Sequence, residues 1–569
     1  MTDKSMTQLM SGNEAIARGA YEAGAAIGVG YPGTPSTETL ESFSTYEGIY
    51  TEWAPNEKVA VEVAIGASMG GLRSFTTMKH VGVNVAADPI FTSGYTGVNG
   101  GLVFLAADDP GIYSSQNEQD SHFYALAARI PMLDPADSQE AHDFAKRAFD
   151  ISERFDIPVF IRSAVRISHT KCAVACEERV EAEQKPYEKD PGKWVMMPAN
   201  AKRRRKIADE RLGALVAFAE ESELNRVELR DSSIGIICMG AVYEYVREAL
   251  PDASTLKLGI SYPLPPEKLA AFASSCDKVY VIEEASTYLS QQIAAAGVSV
   301  NALPHPLPAD DELTPRIIRE SFLLEVPEFR SFPGDIPPRP PALCPGCPHR
   351  LIYNELHRLK AIVTGDIGCY TLGALPPLSA VDSCVDMGAS FSMAHGMELA
   401  KAHLLEEIGD EDVPSFDLPE LAKRPIVGVI GDSTFAHSGI TSLLGTLYNG
   451  GIGTLCILDN RTTAMTGQQG NPCNGVTLGD HPGNELDIIE LLEALEVPDI
   501  KLVNSQNLKA VRNALGEAVK SDELSVIVFK SPCVLLEKKR NPVSIVSDKC
   551  HACGVCLTIG CPALGRDAQ

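Results

Sequence analysis

The chain has 569 residues, 44% hydrophobic and 22% charged, with 49 Lys+Arg against 75 Asp+Glu and a formal net charge of -26. At roughly 150 residues per domain, that length holds about three or four domains. The composition excludes disordered, collagenous and disulfide-scaffold classes, and so acidic a surface repels phosphate backbones, so nucleic-acid binding is not expected.

The N-terminus lacks a basic start followed by an apolar stretch, and no run of about 18 apolar residues follows it. No secretion signal and no membrane span are expected, which points to a reducing cytoplasm, where cysteines bind metal or do redox work. Residues 12–170 alternate glycine-rich turns, apolar strands and small-residue helices. VEVAIGASMGGLRSFTTMKHVG (61–82) reads as a helix and then a strand, and GGLVFLAADD (100–109) and IPVFIRS (157–163) read as buried strands. This alternation predicts a parallel sheet. Residues 176–230 turn charged, with a KRRRK run (202–206) read as a solvated face and then an amphipathic helix, RLGALVAFAEES. They read as a linker.

A second βα pattern starts at SSIGIICMGAVYEYVREAL (232–250) and continues through KLGISYPLPP and DKVYVIEEA (277–285). The prolines of SFPGDIPPRPPALCPGC (331–347) forbid helix and mark a boundary. A third α/β block has strands near RPIVGVIGD (424–432), GTLCILDN (453–460) and LSVIVFK (524–530). The expected division is therefore 1–180, a 181–230 linker, 231–330, 340–540 and a cysteine-rich tail, 541–569.

In that tail Cys550, Cys553, Cys556 and Cys561 give C-x2-C-x2-C-x4-C, with Pro562 after the last cysteine. Two-residue spacers let successive thiolates converge on one face of a cluster. The pattern is one residue longer in its last spacer than the ferredoxin run C-x2-C-x2-C-x3-C-P. Structural zinc sites come as two separated pairs, so three close cysteines plus Cys-Pro favour [4Fe–4S].

In the third block Gly431-Asp432-Ser433 follows one apolar strand, and Asp459-Asn460 follows another after 25 intervening residues. A carboxylate and an amide oxygen at adjacent strand ends suit Mg²⁺ together with phosphate oxygens. The spacing is that of the thiamine diphosphate signature GDGx(24–27)NN, with Ser433 and Asp459 as departures. Asp432 and Asn460 would bind Mg²⁺ by side chain and Thr462 by its carbonyl. The other half of such a site needs a carboxylate for the aminopyrimidine. Glu57 and Glu62, in APNEKVAVEVAIGASMGG, are equal candidates on sequence physics alone.

Together these residues resemble the 2-oxoacid:ferredoxin oxidoreductases. The motifs SGNEAIARGAYEAG, GYPGTPSTE, NEKVAVEVAIGAS, TMKHVGVNVAADP, SSQNEQDS, CPGCPHR, GDIGCYTLG, MGAS, GDSTFAHSGI and DNRTTAMTGQQ occur in the family's order along essentially the whole chain. The resemblance implies an α/β fold of three doubly wound thiamine-enzyme domains: a pyrimidine-binding domain, a transketolase-C-terminal-like domain and a diphosphate-binding domain, with a ferredoxin-like tail. It favours Glu57, nine residues before Gly66, over Glu62. It places Thr34 near the thiazolium and substrate carbonyl, and Lys79, His80 and Asn84 beside the substrate. Cys347, His349, Gly368, Cys369, Gly431 and Ser433 would lie around the diphosphate; a zinc site at Cys344 and Cys347 finds no second pair of suitable spacing.

The activity implied is oxidative decarboxylation of aryl-2-oxoacids of the indolepyruvate kind, with coenzyme A as acyl acceptor and single electrons passing through iron–sulfur to ferredoxin. A beta subunit in an α2β2 assembly is implied as partner. The family's tail carries two cysteine runs and one is present here: either Cys561 closes a single cluster and the electron outlet is shorter, or the sequence is a C-terminal truncation. The alternatives are a phenylpyruvate or branched-chain 2-oxoacid substrate, a non-redox thiamine-dependent decarboxylase, and a non-catalytic subunit that kept the fold.

Overall fold

The computed structural model describes residues 6–308, 312–328, 334–337, 340–409, 414, 417–537 and 544–565. The chain forms two compact units, Met1–Phe332 and Pro333–Gln569.

The first unit is built on a seven-stranded sheet in the order Ile260–Tyr262, Met132–Leu133, Val159–Ala164, Leu102–Asp108, Ser74–Lys79, Ile27–Gly30, Tyr50–Trp53. All neighbours are parallel except Ile260–Tyr262, which runs antiparallel to Met132–Leu133. Helices cover both faces, so the central strands Ser74–Lys79, Leu102–Asp108 and Val159–Ala164 are buried at every position. That is why they read as unbroken apolar runs in the sequence. Met6–Ser11 and Lys171–Cys176 form a separate antiparallel ribbon.

A four-stranded sheet belongs to the same unit, in the order Val279–Val281, Asp231–Met239, Ala253–Leu258, Asn225–Glu228. Its first strand starts before residue 231, and Ile260–Tyr262 leaves it to extend the larger sheet. A buried polar seam joins the two layers. His122 lies between Asp120 and Asp134 Oδ2, the latter at 3.0 Å, and stacks on Tyr288 with ring centroids 4.7 Å apart. Arg162 donates to Asp108 at 2.7 Å, and Ser286 donates to Asp120. Asp120 and Asp134 raise His122 to about 9 against the cost of its burial and the opposing charge of Arg162.

The 181–230 segment, expected as a linker, contains the 24-residue helix Pro198–Glu221. One face of the basic run is not solvated. Arg204 is buried and donates to the Tyr95 and Thr96 carbonyls, both at 2.8 Å, and Arg211 pairs with Asp156. Both arginines cap the carbonyl end of the helix Ala87–Thr96, where cations are favourable.

The second unit carries a six-stranded parallel sheet in the order Ser383–Cys384, Ile362–Gly365, Ile426–Gly431, Gly453–Asp459, Leu524–Lys530, Asp499–Asn504. Alternate residues feed two cores. Val427, Val429, Cys456, Leu458, Ile527 and Phe529 pack on one face. Ile426, Ile430, Leu455, Ile457, Val526 and Val528 pack on the other. Among the described residues no helix is long and apolar enough to cross a membrane.

Candidate active site

Open parallel sheets bind ligands where the strand order reverses, outside the carboxyl ends. The largest sheet of each unit has such a crevice. In the first it lies between Ile27–Gly30 and Ser74–Lys79, because the next strand in sequence, Tyr50–Trp53, lies on the opposite side of Ile27–Gly30. The loop after Ile27–Gly30 carries Thr34, half-buried, and packs so closely that a Cβ on Gly33 would lie 3.2 Å from Lys79 Cβ. Lys79 and His80 follow the facing strand. Lys79 Nζ donates to the Ser114 carbonyl at 2.7 Å, and His80 Nε2 stands 3.2 Å from the Asn117 carbonyl. Burial lowers both pKa values, against the opposing pull of Asp109 on Lys79 and Asp108 on His80. His80 Nδ1 is buried without a hydrogen-bond partner.

Glu57 opens the helix Glu57–Met69, whose N-cap Asn56 accepts from Val59 N at 3.0 Å. Its side chain lies across the helix His80–Val85: a Cβ on Gly82 would come 2.7 Å from both Glu57 Cγ and Oε1. Only glycine permits that approach. Glu57 is 4% exposed, whereas Glu62 is exposed and paired with Lys58. Of the two carboxylates that sequence physics left level, only Glu57 is held inside. Asn84 is exposed and accepts from the Tyr124 hydroxyl.

In the second unit the order reverses between Ile362–Gly365 and Ile426–Gly431. Both strands end in a buried acid, Asp366 and Asp432. Tyr370 fills the space between them. It donates to Asp366, stands 3.3 Å from Thr434 Oγ1, and would meet a Cβ on Gly431 at 2.6 Å and one on Gly368 at 2.3 Å. Burial pushes Asp366 up to about 8 despite the Tyr370 and Gly388 donors.

Asp432 opens a short helical turn that passes through a π segment, Phe435–Gly439; such bulges are frequent at functional sites. Its Oδ1 accepts from Ser433 N at 2.8 Å, while Oδ2 is buried with no hydrogen-bond partner. Burial first, and then the charge of Asp459, lifts Asp432 to about 7. A buried carboxylate oxygen without a donor, beside a second carboxylate, fits a divalent cation. Asn460 and Thr462 are buried in the loop after the neighbouring strand. Asn460 Nδ2 lies 3.5 Å from His349 Nε2, and Thr463 donates to Ser433 at 2.8 Å. His349 is 4% exposed, and burial lowers it to about 4, so it is neutral near pH 7.

Beside His349 and Asn460 is a cavity of about 70 Å³ lined by Cys344, Cys347, Cys369 and Cys533. The CPGC pair therefore does have companions, contributed from distant parts of the chain. Burial raises Cys347 to about 12 and Cys369 to about 11. The tail cysteines are different: Cys550, Cys553 and Cys556 are exposed and Cys561 is half-buried. Among the described residues no three His, Cys, Asp or Glu side chains converge on one metal-ion position, so the tail quartet is not gathered here. Its donor set, four thiols ending in Cys-Pro, still suits iron–sulfur in chemistry.

Asp366, Tyr370 and Cys533 line the candidate site and were not singled out by the sequence reading, which weighed Cys344 only as part of a zinc pair. Asp366 was visible as an acid directly after a strand, within GDIGC. Cys533 follows the strand Leu524–Lys530 with no motif of its own.

Two family matches each lie within one of the two units. Residues 18–211 match the family "Pyruvate flavodoxin/ferredoxin oxidoreductase, thiamine diP-bdg", and residues 366–529 match "Thiamine pyrophosphate enzyme, C-terminal TPP binding domain". The chain is 37% identical over 597 residues to the indolepyruvate oxidoreductase subunit IorA of Archaeoglobus fulgidus, covering 98% of this chain and 92% of that one. It is 36% identical over 607 residues to the IorA subunit of Thermococcus kodakarensis, covering 99% and 92%. A solved 2-oxoglutarate:ferredoxin oxidoreductase from Magnetococcus marinus superposes on 55% of this chain and 64% of its own, at 18% identity and a TM-score of 0.48.

Proposed function

The chain belongs to the 2-oxoacid:ferredoxin oxidoreductases, in the group of the indolepyruvate oxidoreductase subunit IorA, and from that premise we propose that it is the catalytic subunit of an enzyme acting on aryl-2-oxoacids. It is a thiamine diphosphate-dependent enzyme of oxidative 2-oxoacid decarboxylation. The balanced reaction takes a 2-oxoacid anion, coenzyme A and two oxidised ferredoxins to an acyl-CoA, CO2, one proton and two reduced ferredoxins.

Thiamine diphosphate, when bound, supplies the electron sink for decarboxylation. The protein's own residues bind, orient and tune it. Asp432 and Asn460 would hold Mg²⁺ by side chain and Thr462 by its carbonyl. Cys347, His349, Gly368, Cys369, Gly431 and Ser433 would surround the diphosphate. His349, neutral in its buried position, adds no charge beside the cation. Glu57, buried at the start of its helix, would face the aminopyrimidine as its carboxyl partner. Thr34, Lys79 and His80 would orient the substrate: Lys79 is the cation of that crevice, and the unpartnered His80 Nδ1 offers a hydrogen-bonding site.

Cys550, Cys553, Cys556 and Cys561 would hold an iron–sulfur group, which would supply single-electron transfer toward ferredoxin. The cavity thiols Cys344, Cys347, Cys369 and Cys533 are a second set of soft donors beside His349. A beta subunit completes the enzyme as α2β2 and handles coenzyme A. Oxygen-sensitive clusters and reduced thiols suit the cytoplasm. The domain assignment proposed is pyrimidine-binding for 1–180, transketolase-C-terminal-like for 231–330 and diphosphate-binding for 340–540.

The observation that carries this reading is Asp432, a buried acid with an unpaired oxygen at the strand-order reversal. The test is an anaerobic assay with both subunits, reading viologen reduction across a panel of 2-oxoacids with coenzyme A. Aryl-2-oxoacids should be preferred; a preference for pyruvate or 2-oxoglutarate would refute the aryl assignment. The second reading is a non-redox thiamine-dependent decarboxylase, against which the cysteine tail argues. Protein purified anaerobically without iron would favour that reading.

A further inference from the structure

Arg350 is the second residue of the helix His349–Arg358 and is 4% exposed. Among the described residues it has no carboxylate partner within ion-pair distance. All its hydrogen bonds go to backbone carbonyls, and these belong to two segments more than 200 residues apart. On one side its guanidinium donates to Leu343 and, at 3.1 Å, to Cys344, in the loop that carries the CPGC pair. On the other side it donates to Ile559 at 3.1 Å and Gly560 at 2.5 Å, the two residues before Cys561. Burying a guanidinium is costly unless its donors are satisfied, and here the tail supplies half of the acceptors. The planar fork of arginine can bridge two segments in a way a single ammonium cannot.

A second contact has the same effect. Gly560 has φ +61, and a Cβ there would lie 2.7 Å from Pro377 Cδ and 2.9 Å from Cγ. Any other residue would push the tail away from the unit. Of the four tail cysteines, Cys561, next to this anchor, is the one that is not fully exposed. The loop that Arg350 holds on its other side is a wall of the thiol cavity.

We propose that Arg350 is a positioning residue for electron exit: it docks the cysteine tail onto the CPGC loop, so that the last tail cysteine stands beside the cofactor unit. The proposal rests on the ferredoxin-linked reading above. An iron–sulfur group held by the tail would take one electron at a time from the oxoacid being oxidised and be reoxidised as ferredoxin is reduced.

The experiment uses the full anaerobic enzyme with its partner subunit and two variants, Arg350→Gln and Gly560→Ala. Gly560→Ala keeps the arginine but crowds the docked tail, its Cβ lying against Pro377 and 3.3 Å from Arg350 Nη1, so it stands if Arg350→Gln folds poorly. The first readout is hydrogen–deuterium exchange over 544–565, independent of catalysis. The second is ferredoxin reduction, compared with thiamine diphosphate affinity and the KM for the oxoacid. Exchange in the tail should rise by roughly tenfold or more in both variants. Ferredoxin reduction should fall by about tenfold or more, with cofactor affinity and KM unchanged. Unchanged tail exchange in both variants would overturn the docking. Raised exchange with wild-type ferredoxin reduction would overturn its role in electron exit. Failure of the wild-type enzyme to reduce ferredoxin would count against the function proposed for the chain, while the exchange data would still decide whether Arg350 docks the tail.

Discussion

The two crevices share one topology and differ in electrostatics. In the first unit, the carboxylate Glu57 is tucked over Gly82, and the cation Lys79 is tied to a carbonyl. In the second, Asp366 and Asp432 sit buried at neighbouring strand ends, pushed up to about 8 and about 7. The parallel sheet supplies a place for a ligand in both. What each can hold is set by which charges it leaves uncompensated. On the function proposed above, the second crevice would take a cation and its phosphates, and the first an uncharged ring and an anionic substrate.

The largest effect expected from breaking this division is at Glu57. Glu57→Gln keeps the shape over Gly82 and removes the acid, so kcat should drop by roughly 10²–10⁴ with cofactor affinity retained. An unchanged kcat in the assembled enzyme would remove Glu57 from the mechanism. Asp432→Ala should act in the opposite way, on binding: calorimetry should show thiamine diphosphate affinity in Mg²⁺ lower by at least about 100-fold. Wild-type affinity would sink the metal assignment.

A smaller effect sharpens the contrast from outside both crevices. His122, raised to about 9 among Asp120, Asp134 and Arg162, contributes stability that is complete below about 6.5 and is lost as pH rises through 9. Glu284, raised to about 7 by burial, changes stability in the same direction, lost as pH rises through 7. Thermal unfolding of the first unit should therefore show a loss on the order of 1–3 kcal/mol between pH 6 and pH 9. His122→Asn should flatten that slope; an unchanged slope would show that the seam does not titrate. The smallest effect is at Glu62. Because this carboxylate is exposed, Glu62→Gln should change stability by less than about 0.5 kcal/mol and leave kcat intact. A fall in kcat like that of Glu57→Gln would restore the tie between them.

Much of this arrangement could be read from the sequence where structure leaves a local signature. Strands buried on both faces, such as Leu102–Asp108 and Ile426–Gly431, appear as apolar runs because helices cover both sides of the sheet. Asp432 and Asn460 stand out as candidates in the sequence because both follow such strands at a spacing one α/β crossover imposes. Short strands such as Tyr50–Trp53 and Met132–Leu133 leave no comparable run. Burial within the expected linker was hidden because Arg204 and Arg211 find their partners far along the chain, at Tyr95, Thr96 and Asp156. Cys533 was missed for the same reason: its companions lie at 344, 347 and 369, and no spacing rule joins them. The choice of Glu57 over Glu62 needed either the family pattern or the fold, since the two lie little more than one helical turn apart.

The claim that the second crevice holds thiamine diphosphate through a cation is tested most directly by a calorimetric titration of the anaerobic protein with thiamine diphosphate, in Mg²⁺ and in a chelator. The buried, donor-free oxygen of Asp432 predicts tight binding with Mg²⁺ and none measurable in the chelator. Binding of equal strength without any divalent metal would contradict it.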